Sequence, residues 1–140
     1  MRKLREIALK LFEEVEREKH EERENNQVPS DELLSALRLV FPQTLLQALD
    51  LIDRQLVTRV LSPQGREAFQ VKGLSGRIYL CLMSSEYCTC PSYTYYVLMK
   101  EEMLMCKHVL AVHLSLKLGT SIVKNVSKED FANILMESPS

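Results

Sequence analysis

Residues 88–111 of this 140-residue chain read CTCPSYTYYVLMKEEMLMCKHVLA. They contain two close pairs of metal-binding side chains, Cys88 with Cys90 and, after fifteen intervening residues, Cys106 with His108. Thiolate and imidazole are the ligands that tetrahedral zinc prefers, and four of them leave no coordination position open for a substrate. The pattern therefore predicts one structural Zn²⁺ ion. The alternative is a set of buried free thiols and a core histidine, which we disfavour because it needs two ligand pairs to coincide in a chain with so few Cys and His.

The spacing within each pair indicates the backbone that carries it. Cys88 and Cys90 suit a strand end that turns tightly before a proline. Residues two apart on a helix point about 200° away from each other. We therefore expect Cys106 just outside a helix start and His108 in the first turn. The positive end of that helix and Lys107 favour the thiolate form of Cys106. The result would be a zinc clasp between a strand and a helix.

Residues 1–55 are predicted to form an N-terminal helical segment, because their apolar residues recur at spacings of three and four. A first helix begins at residue 2 and ends in solvent near residue 24. Ser30 or Asp31 caps a second helix. A third helix over residues 43–54 is so apolar that it must be buried in the core or against a partner.

Residues 56–140 change pattern, and period-two alternation predicts three strands of an antiparallel meander at residues 56–61, 67–72 and 77–83. Proline suggests a helix over residues 91–100. A longer buried helix is closed by Gly119, and a cap at Ser127 opens a last short helix. The predicted fold class is α+β: N-terminal helices, a three-stranded antiparallel meander sheet, the zinc-clasped strand-to-helix finger and C-terminal helices. The two segments together make one compact domain.

Composition excludes several classes of protein. The apolar fraction is 46% and the charged fraction 26%, as in soluble globular proteins. No apolar run approaches the roughly 18 residues of a membrane span, so we expect no membrane partner. The basic start turns acidic too early for a secretory signal. The chain has no phosphate-binding loop, zinc-protease helix or deaminase signature, and we expect no enzymatic activity.

The net charge of −1 is unevenly distributed. Residues 1–53 hold 8 Lys and Arg against 12 Asp and Glu, whereas residues 54–140 hold 10 against 7. The second part is only mildly basic, so charge alone does not predict a strong nucleic-acid surface. Cysteines without a secreted architecture indicate a reducing compartment, where they are more often metal ligands than disulfides.

Residues 88–111 resemble the SWIM zinc finger, whose pattern is Cys-x-Cys, a variable spacer and Cys-x-His. Ala111 completes a Cys-x-His-x-x-Ala extension that is associated with the SWIM-domain subunits of Shu complexes. The stretches QALDLIDRQ at 47–55 and SPQGR at 62–66 are also similar to the vertebrate-type members of that branch. Ala111 has two physical explanations that the sequence leaves open. A small residue lets the clasp approach closely, or alanine is simply a good helix former.

The resemblance implies a nuclear, non-catalytic regulatory subunit of homologous recombination. Such subunits form a heterodimer with a RecA-like recombinase paralog ATPase, which promotes or stabilises recombinase filaments on single-stranded DNA. DNA would then be reached mainly through the complex. One alternative is a SWIM adaptor in a ubiquitin pathway. Another is a stand-alone nucleic-acid-binding finger that uses the cations Arg54, Arg59, Arg66, Lys72 and Arg77.

Other side chains near the motif have competing explanations. Cys81 is expected to be a packed thiol, with a replacement metal ligand as the alternative. His113 lies about 140° around a helix from His108, so it is expected to be structural or exposed rather than a ligand of the same metal. Most of the four nearby tyrosines are expected to pack in the core, with stacking on single-stranded bases as the alternative. These are Tyr87, Tyr93, Tyr95 and Tyr96.

Overall fold

A computed structural model describes residues 1–21 and 28–137, and these form five α-helices, a π-helical segment and a five-stranded sheet. The helices are α1 (Arg2–His20), α2 (Asp31–Val40), α3 (Leu45–Asp53), α4 (Lys107–Leu118) and α5 (Lys128–Met136). The strands are β1 (Val57–Leu61), β2 (Glu67–Lys72), β3 (Ile78–Leu82), β4 (Tyr87–Cys88) and β5 (Ile122–Asn125). The π-helical segment is Tyr93–Met99. The predicted α+β class is confirmed.

The sheet has the strand order β4-β3-β2-β1-β5. Its centre is the predicted antiparallel meander, β1 to β3. The prediction of three strands was too low, because β4 pairs antiparallel with β3 and β5 pairs parallel with β1. β4 has two residues and β5 four exposed ones, so neither carries an alternation that sequence could reveal.

Several helix ends follow from local chemistry. The Ser30 hydroxyl accepts a hydrogen bond from the Leu33 N–H at 3.3 Å, and Gly119 ends α4 with a φ of +70°. The predicted end of the first helix near residue 24 lies outside the described residues. The helix expected over residues 91–100 is largely π-helical, and the Lys100 N–H donates to the carbonyl five residues earlier at 3.0 Å.

Helix α4 lies at the centre of the molecule and packs against α1, α3 and β3. Its residues are buried on almost every side, which explains its continuous apolar sequence. One buried cluster runs from Phe12 on α1 through Leu51 on α3 to Phe69 on β2. A smaller cluster joins the other face of the sheet to α5. Within the described ranges, no helix is long and apolar enough to cross a membrane.

Candidate metal centre

Four buried side chains converge between β4 and α4: Cys88, Cys90, Cys106 and His108. Their ligand atoms all lie within 4.8 Å of one another, and Cys88 Sγ lies 3.8 Å from His108 Nδ1. A tetrahedral zinc with bonds of roughly 2.3 Å to sulfur and 2.0 Å to nitrogen has a sulfur–nitrogen edge of about 3.5 Å. The cluster therefore fits one Zn²⁺ ion, with Nδ1 as the nitrogen ligand. The structure brings together all four residues that the sequence singled out.

The first ligand pair is fixed by the backbone of β3. Thr89 lies between the two cysteines, and its N–H donates to the Leu80 carbonyl at 3.1 Å. The Thr89 hydroxyl accepts from the Leu80 N–H at 3.0 Å. Beyond it, the Tyr93 N–H donates to Cys90 Sγ at 3.3 Å. Cys88 and Cys90 are thus held in place by main-chain contacts on both sides of the turn.

The second pair occupies the start of α4. Cys106 is the N-cap residue with extended backbone, and His108 lies in the first turn, as the spacing predicted. The Tyr79 ring packs against the imidazole with centroids 4.5 Å apart. Ala111, one turn further along the helix, is completely buried. That burial favours the close-packing explanation for a small residue at this position.

The protonation of the three thiols is coupled. Hydrogen bonds from Cys106 and Cys88 lower the pKa of Cys90 well below its usual range. Hydrogen bonds to Cys88 and Cys90, together with burial, raise the pKa of Cys106. One thiol can therefore lose its proton easily, whereas its neighbours keep theirs, because like charges repel at this distance. A divalent cation among them removes that resistance, which is the chemistry expected of a thiolate-rich zinc site.

A cluster of three polar side chains fixes the turn that leads into the ligands. Glu86, in the β3–β4 turn with a φ of +51°, contacts the Arg5 guanidinium and lies 3.5 Å from His113 Nε2. His113 stacks on Phe12 at a centroid distance of 4.7 Å. Burial lowers the pKa of His113 to about 4. His113 is therefore a structural residue, one of the two roles expected for it, and it links α1, α4 and the turn before Cys88.

Cys81 is buried as expected, whereas most of the four tyrosines are not. Cys81 is fully buried and paired with Cys88 across the strands, and it is not a member of the four-residue cluster. Of the four tyrosines, only Tyr93 is buried. The expectation that most of them pack in the core was wrong: Tyr95 and Tyr96 are exposed on the π-helical segment, and Tyr87 is exposed on β4.

The five candidate DNA-contacting cations do not converge on one site. Arg66 lies at the hairpin end of the β1–β2 pair, whereas Lys72 and Arg77 lie at the opposite end. Arg54 precedes β1 at that second end, and Arg59 lies in the middle of β1. The two ends are about 20 Å apart for six residues of strand. Single-strand DNA would have to follow the sheet from end to end to meet all five.

Three of these cations already have partners within the chain. Arg54 Nε donates to both carboxylate oxygens of Asp50 at 3.1 Å. Arg59 pairs with Glu67 at 2.7 Å. The Arg66 guanidinium lies 5.4 Å from the centroid of an aromatic ring of α5. The carboxylates partly neutralise Arg54 and Arg59, which weakens the attraction of these two residues for phosphate.

Sequence reasoning missed three residues that position the metal centre, namely Thr89, Tyr79 and Glu86. Their roles depend on a cross-strand backbone contact, a ring contact and a left-handed turn, respectively. The one available signal was the position of Thr89 between two ligands. Tyr79 becomes a neighbour of the site only through the sheet, and the role of Glu86 depends on its contacts with Arg5 and His113, which are distant in sequence.

The SWIM zinc finger family matches residues 79–117, which include all four ligands. Zinc finger SWIM domain-containing protein 7 of Danio rerio is 51% identical over 83% of this chain and 82% of its own length. The protein of the same name from Mus musculus is 45% identical, over 82% and 75% of the two chains. That of Homo sapiens is 42% identical, over 81% and 80%. No solved structure gives a significant match. On this similarity, the chain belongs to the family of zinc finger SWIM domain-containing protein 7.

Proposed function

We propose that this chain is a non-catalytic regulatory subunit of a Shu-type complex in homologous recombination. In this proposal it works in the nucleus as a heterodimer with a RecA-like recombinase paralog ATPase. The pair promotes or stabilises recombinase filaments on single-stranded DNA. The chain reaches that DNA mainly through the complex.

The observation that carries the proposal is the closed ligand set of the metal centre. Three buried cysteines and one buried histidine can supply all four ligands of a zinc tetrahedron, so a zinc ion held there would have a structural role. A structural metal between β4 and α4 would hold the surrounding surface in shape and would not take part in catalysis. We therefore infer that the chain functions through the surface around the metal centre.

That surface includes the π-helical segment between the two ligand pairs. It exposes large apolar and aromatic side chains: Tyr95, Tyr96, Leu98 and Met99. π-Helical turns are frequent at functional sites, and exposed apolar patches mark interaction surfaces. These features support a protein partner.

The test is a pull-down of the tagged chain from native cells, with partners identified by mass spectrometry. We expect a small ATPase with a phosphate-binding loop to be recovered. Cys88→Ser should lose the partner because the metal centre is lost. The matched control is Cys81→Ser, which alters a buried thiol outside the cluster and should keep the partner.

Two results would replace the proposal. Recovery of ubiquitin-pathway proteins in place of the ATPase would indicate an adaptor. Tight single-strand DNA binding by the purified chain, steeply dependent on salt, would indicate a stand-alone nucleic-acid-binding finger.

A further inference from the structure

Strand β5 forms one edge of the five-stranded sheet, and β1 lies on its inner side. Every residue of β5 is exposed. The exposed fraction is 45% for Ile122 and 52% for Val123, whose side chains point to opposite faces of the sheet. No element in the described part of the chain therefore covers β5 on either face or along its outer edge.

The outer edge of β5 carries backbone donors and acceptors that the sheet does not use. Successive residues of a strand point their N–H and C=O groups to opposite edges. The Val126 N–H donates to the Leu61 carbonyl of β1 at 3.0 Å, and the register of β5 on β1 is unbroken. Lys124, two residues before Val126, points the same way. Val123 and Asn125 therefore direct their N–H and C=O groups away from β1, toward the open side.

β5 has few of the features that normally block a sheet edge. Such features include proline, bulges and inward-pointing charges. β5 contains no proline, and its unbroken register leaves no room for a bulge. Its one charged residue is Lys124, which forms no ion pair with any described residue. A lone lysine repels a basic strand and attracts a carboxylate, so it selects which strand can pair here.

We propose that the outer edge of β5 binds an extended strand of the protein partner, with an aspartate or glutamate of that strand opposite Lys124. The added strand accepts hydrogen bonds from the N–H groups of Val123 and Asn125 and donates to their carbonyl groups. Its side chains cover Ile122 on one face of the sheet and Val123 on the other. The inference rests on the proposed function, because it needs a protein partner.

This edge is separate from the surface around the metal centre. β5 and β4 are the two outermost strands, and four strand spacings of about 4.8 Å, or roughly 19 Å, lie between them. Loss of the zinc and loss of the edge contact can therefore be measured independently.

A second copy of this chain fits the edge less well than a partner strand. In an antiparallel pair, residues opposite each other either both point toward the other strand or both point away from it. A two-fold pair of β5 strands is therefore centred on Val123, Lys124 or Asn125. These arrangements place Ile122, a second Lys124 or Val126, respectively, opposite the lysine. None of them supplies a carboxylate.

DNA also fits the edge less well than a peptide strand. Its phosphates accept hydrogen bonds from N–H groups but offer no donor for the outward carbonyl groups of Val123 and Asn125. A polynucleotide also needs a row of cations, whereas β5 provides one lysine. A peptide strand supplies donors and acceptors at the spacing of β5 itself.

The direct test is residue-resolved amide hydrogen exchange of the full, zinc-loaded chain, alone and in the complex recovered with the tagged chain. In the isolated chain, we expect the Val123 and Asn125 amides to exchange faster than the Lys124 amide, which points to β1. In the complex, exchange of Val123 and Asn125 should slow by at least about tenfold. Unchanged exchange of both amides in the complex would overturn the inference. Their protection in the isolated chain would also overturn it, because this chain or a second copy would then already cover the edge.

A proline in β5 gives a second test. Val123→Pro removes one outward N–H and leaves the hydrogen bonds to β1 in place, and edge strands tolerate proline where the N–H faces solvent. The variant should keep one zinc per chain. It should lower recovery of the partner by at least about tenfold, because a donor is lost and the ring obstructs the incoming strand. The matched control Val123→Thr keeps the N–H and nearly the same side-chain shape, and it should change recovery by less than about threefold.

Charge reversal tests the acidic residue opposite Lys124. Lys124→Glu should lower recovery by at least about threefold, because like charges directly opposite each other destabilise a strand pair. The matched control Lys72→Glu changes an exposed lysine of β2, two strands away on the same face of the sheet, and should leave recovery unchanged. Equal recovery of the partner by both variants would overturn the acidic residue assigned to the partner strand.

The outcomes separate the two proposals. Equal recovery of the ATPase by the wild type and Val123→Pro would overturn the docking edge and leave the proposed function standing. Failure of the wild type to recover any ATPase would overturn the proposed function, and the docking edge with it.

Discussion

Cys81 and Cys88 lie directly opposite each other on β3 and β4, and both are fully buried. Directly paired residues of antiparallel strands have Cβ atoms about 5 Å apart, so the two side chains are neighbours on one face of the sheet. Cys88 belongs to the metal cluster and Cys81 does not. Of these two adjacent thiols, one is therefore a candidate metal ligand and the other is a packing residue.

Replacing Cys81 should therefore affect packing more than metal binding. We expect Cys81→Ala to retain one zinc per chain and to lower the free energy of unfolding by about 1 kcal/mol, as small core truncations do. Metal analysis and urea unfolding measure the two effects. A variant that loses its zinc would show that Cys81 is a ligand after all.

Removal of a true ligand should have a much larger effect. Structural zinc contributes on the order of 10 kcal/mol of apparent binding free energy, which is similar to the whole stability of a small domain. We expect Cys106→Ser and His108→Ala to bind no stoichiometric zinc and to lose amide-exchange protection throughout α4. Full protection of α4 in a zinc-free variant would contradict the structural role of the metal.

The N-terminal helices should be coupled by one carboxylate. Glu18 on α1 accepts hydrogen bonds from the Ser30 N–H and the Ser30 hydroxyl, both at 2.7 Å. The same hydroxyl caps α2. Ser30→Ala removes the cap and the hydroxyl bond to Glu18 but keeps the backbone N–H bond, and we expect it to lower the free energy of unfolding by about 1 to 2 kcal/mol.

A double-mutant cycle with Glu18→Gln tests whether these effects are linked. The two substitutions share one interaction, so their combined cost should be smaller than the sum by at least about 0.5 kcal/mol. Strictly additive costs would mean that the hydrogen bond between the Ser30 hydroxyl and Glu18 contributes nothing to stability.

His113 should make stability depend on pH. Burial, followed by the charges of Arg5 and Lys117, lowers the pKa of His113 to about 4 in the folded chain. The nearby Glu86 carboxylate favours the charged ring, but its charge is shared with Arg5. The pKa in the unfolded chain is about 6.5. Between these values the unfolded chain binds a proton that the folded chain does not, so stability falls as the pH falls.

The comparison with His113→Gln isolates this effect. Between pH 7.5 and pH 5.5, we expect the wild type to lose about 1 kcal/mol more of its free energy of unfolding than the variant does. Urea unfolding with saturating zinc measures both, and the titration of the metal ligands cancels in the difference. Equal losses would show that His113 is accessible to protons in the folded state.

The sequence predicted the parts of the fold that depend on local pattern. The Cys and His spacing identified the metal centre and even the position of Cys106 just before α4. The meander strands follow from the alternation of apolar and polar residues. The end of α4 follows from the left-handed backbone that Gly119 adopts easily. Both signals are local. These features can be derived from residues that are close along the chain.

The features that sequence missed depend on distant partners. β5 is a strand only because β1 lies beside it. Tyr95 and Tyr96 are exposed on a π-helical segment where the sequence predicted an α-helix, and Tyr87 is exposed on the two-residue strand β4. Tyr79 and Glu86 join the metal centre through the sheet and a left-handed turn.

The parallel pairing of the first and last strands has a consequence for how the chain folds. Thr58 pairs with Ile122, so the sheet closes only when segments 64 residues apart in sequence meet. Loop-closure entropy makes such contacts late and slow. A zinc ion that joins Cys90 to Cys106 shortens this loop by bypassing the fifteen residues between them. Metal uptake should therefore precede closure of the sheet and accelerate it, and a chain still on the ribosome cannot complete its sheet until β5 has emerged.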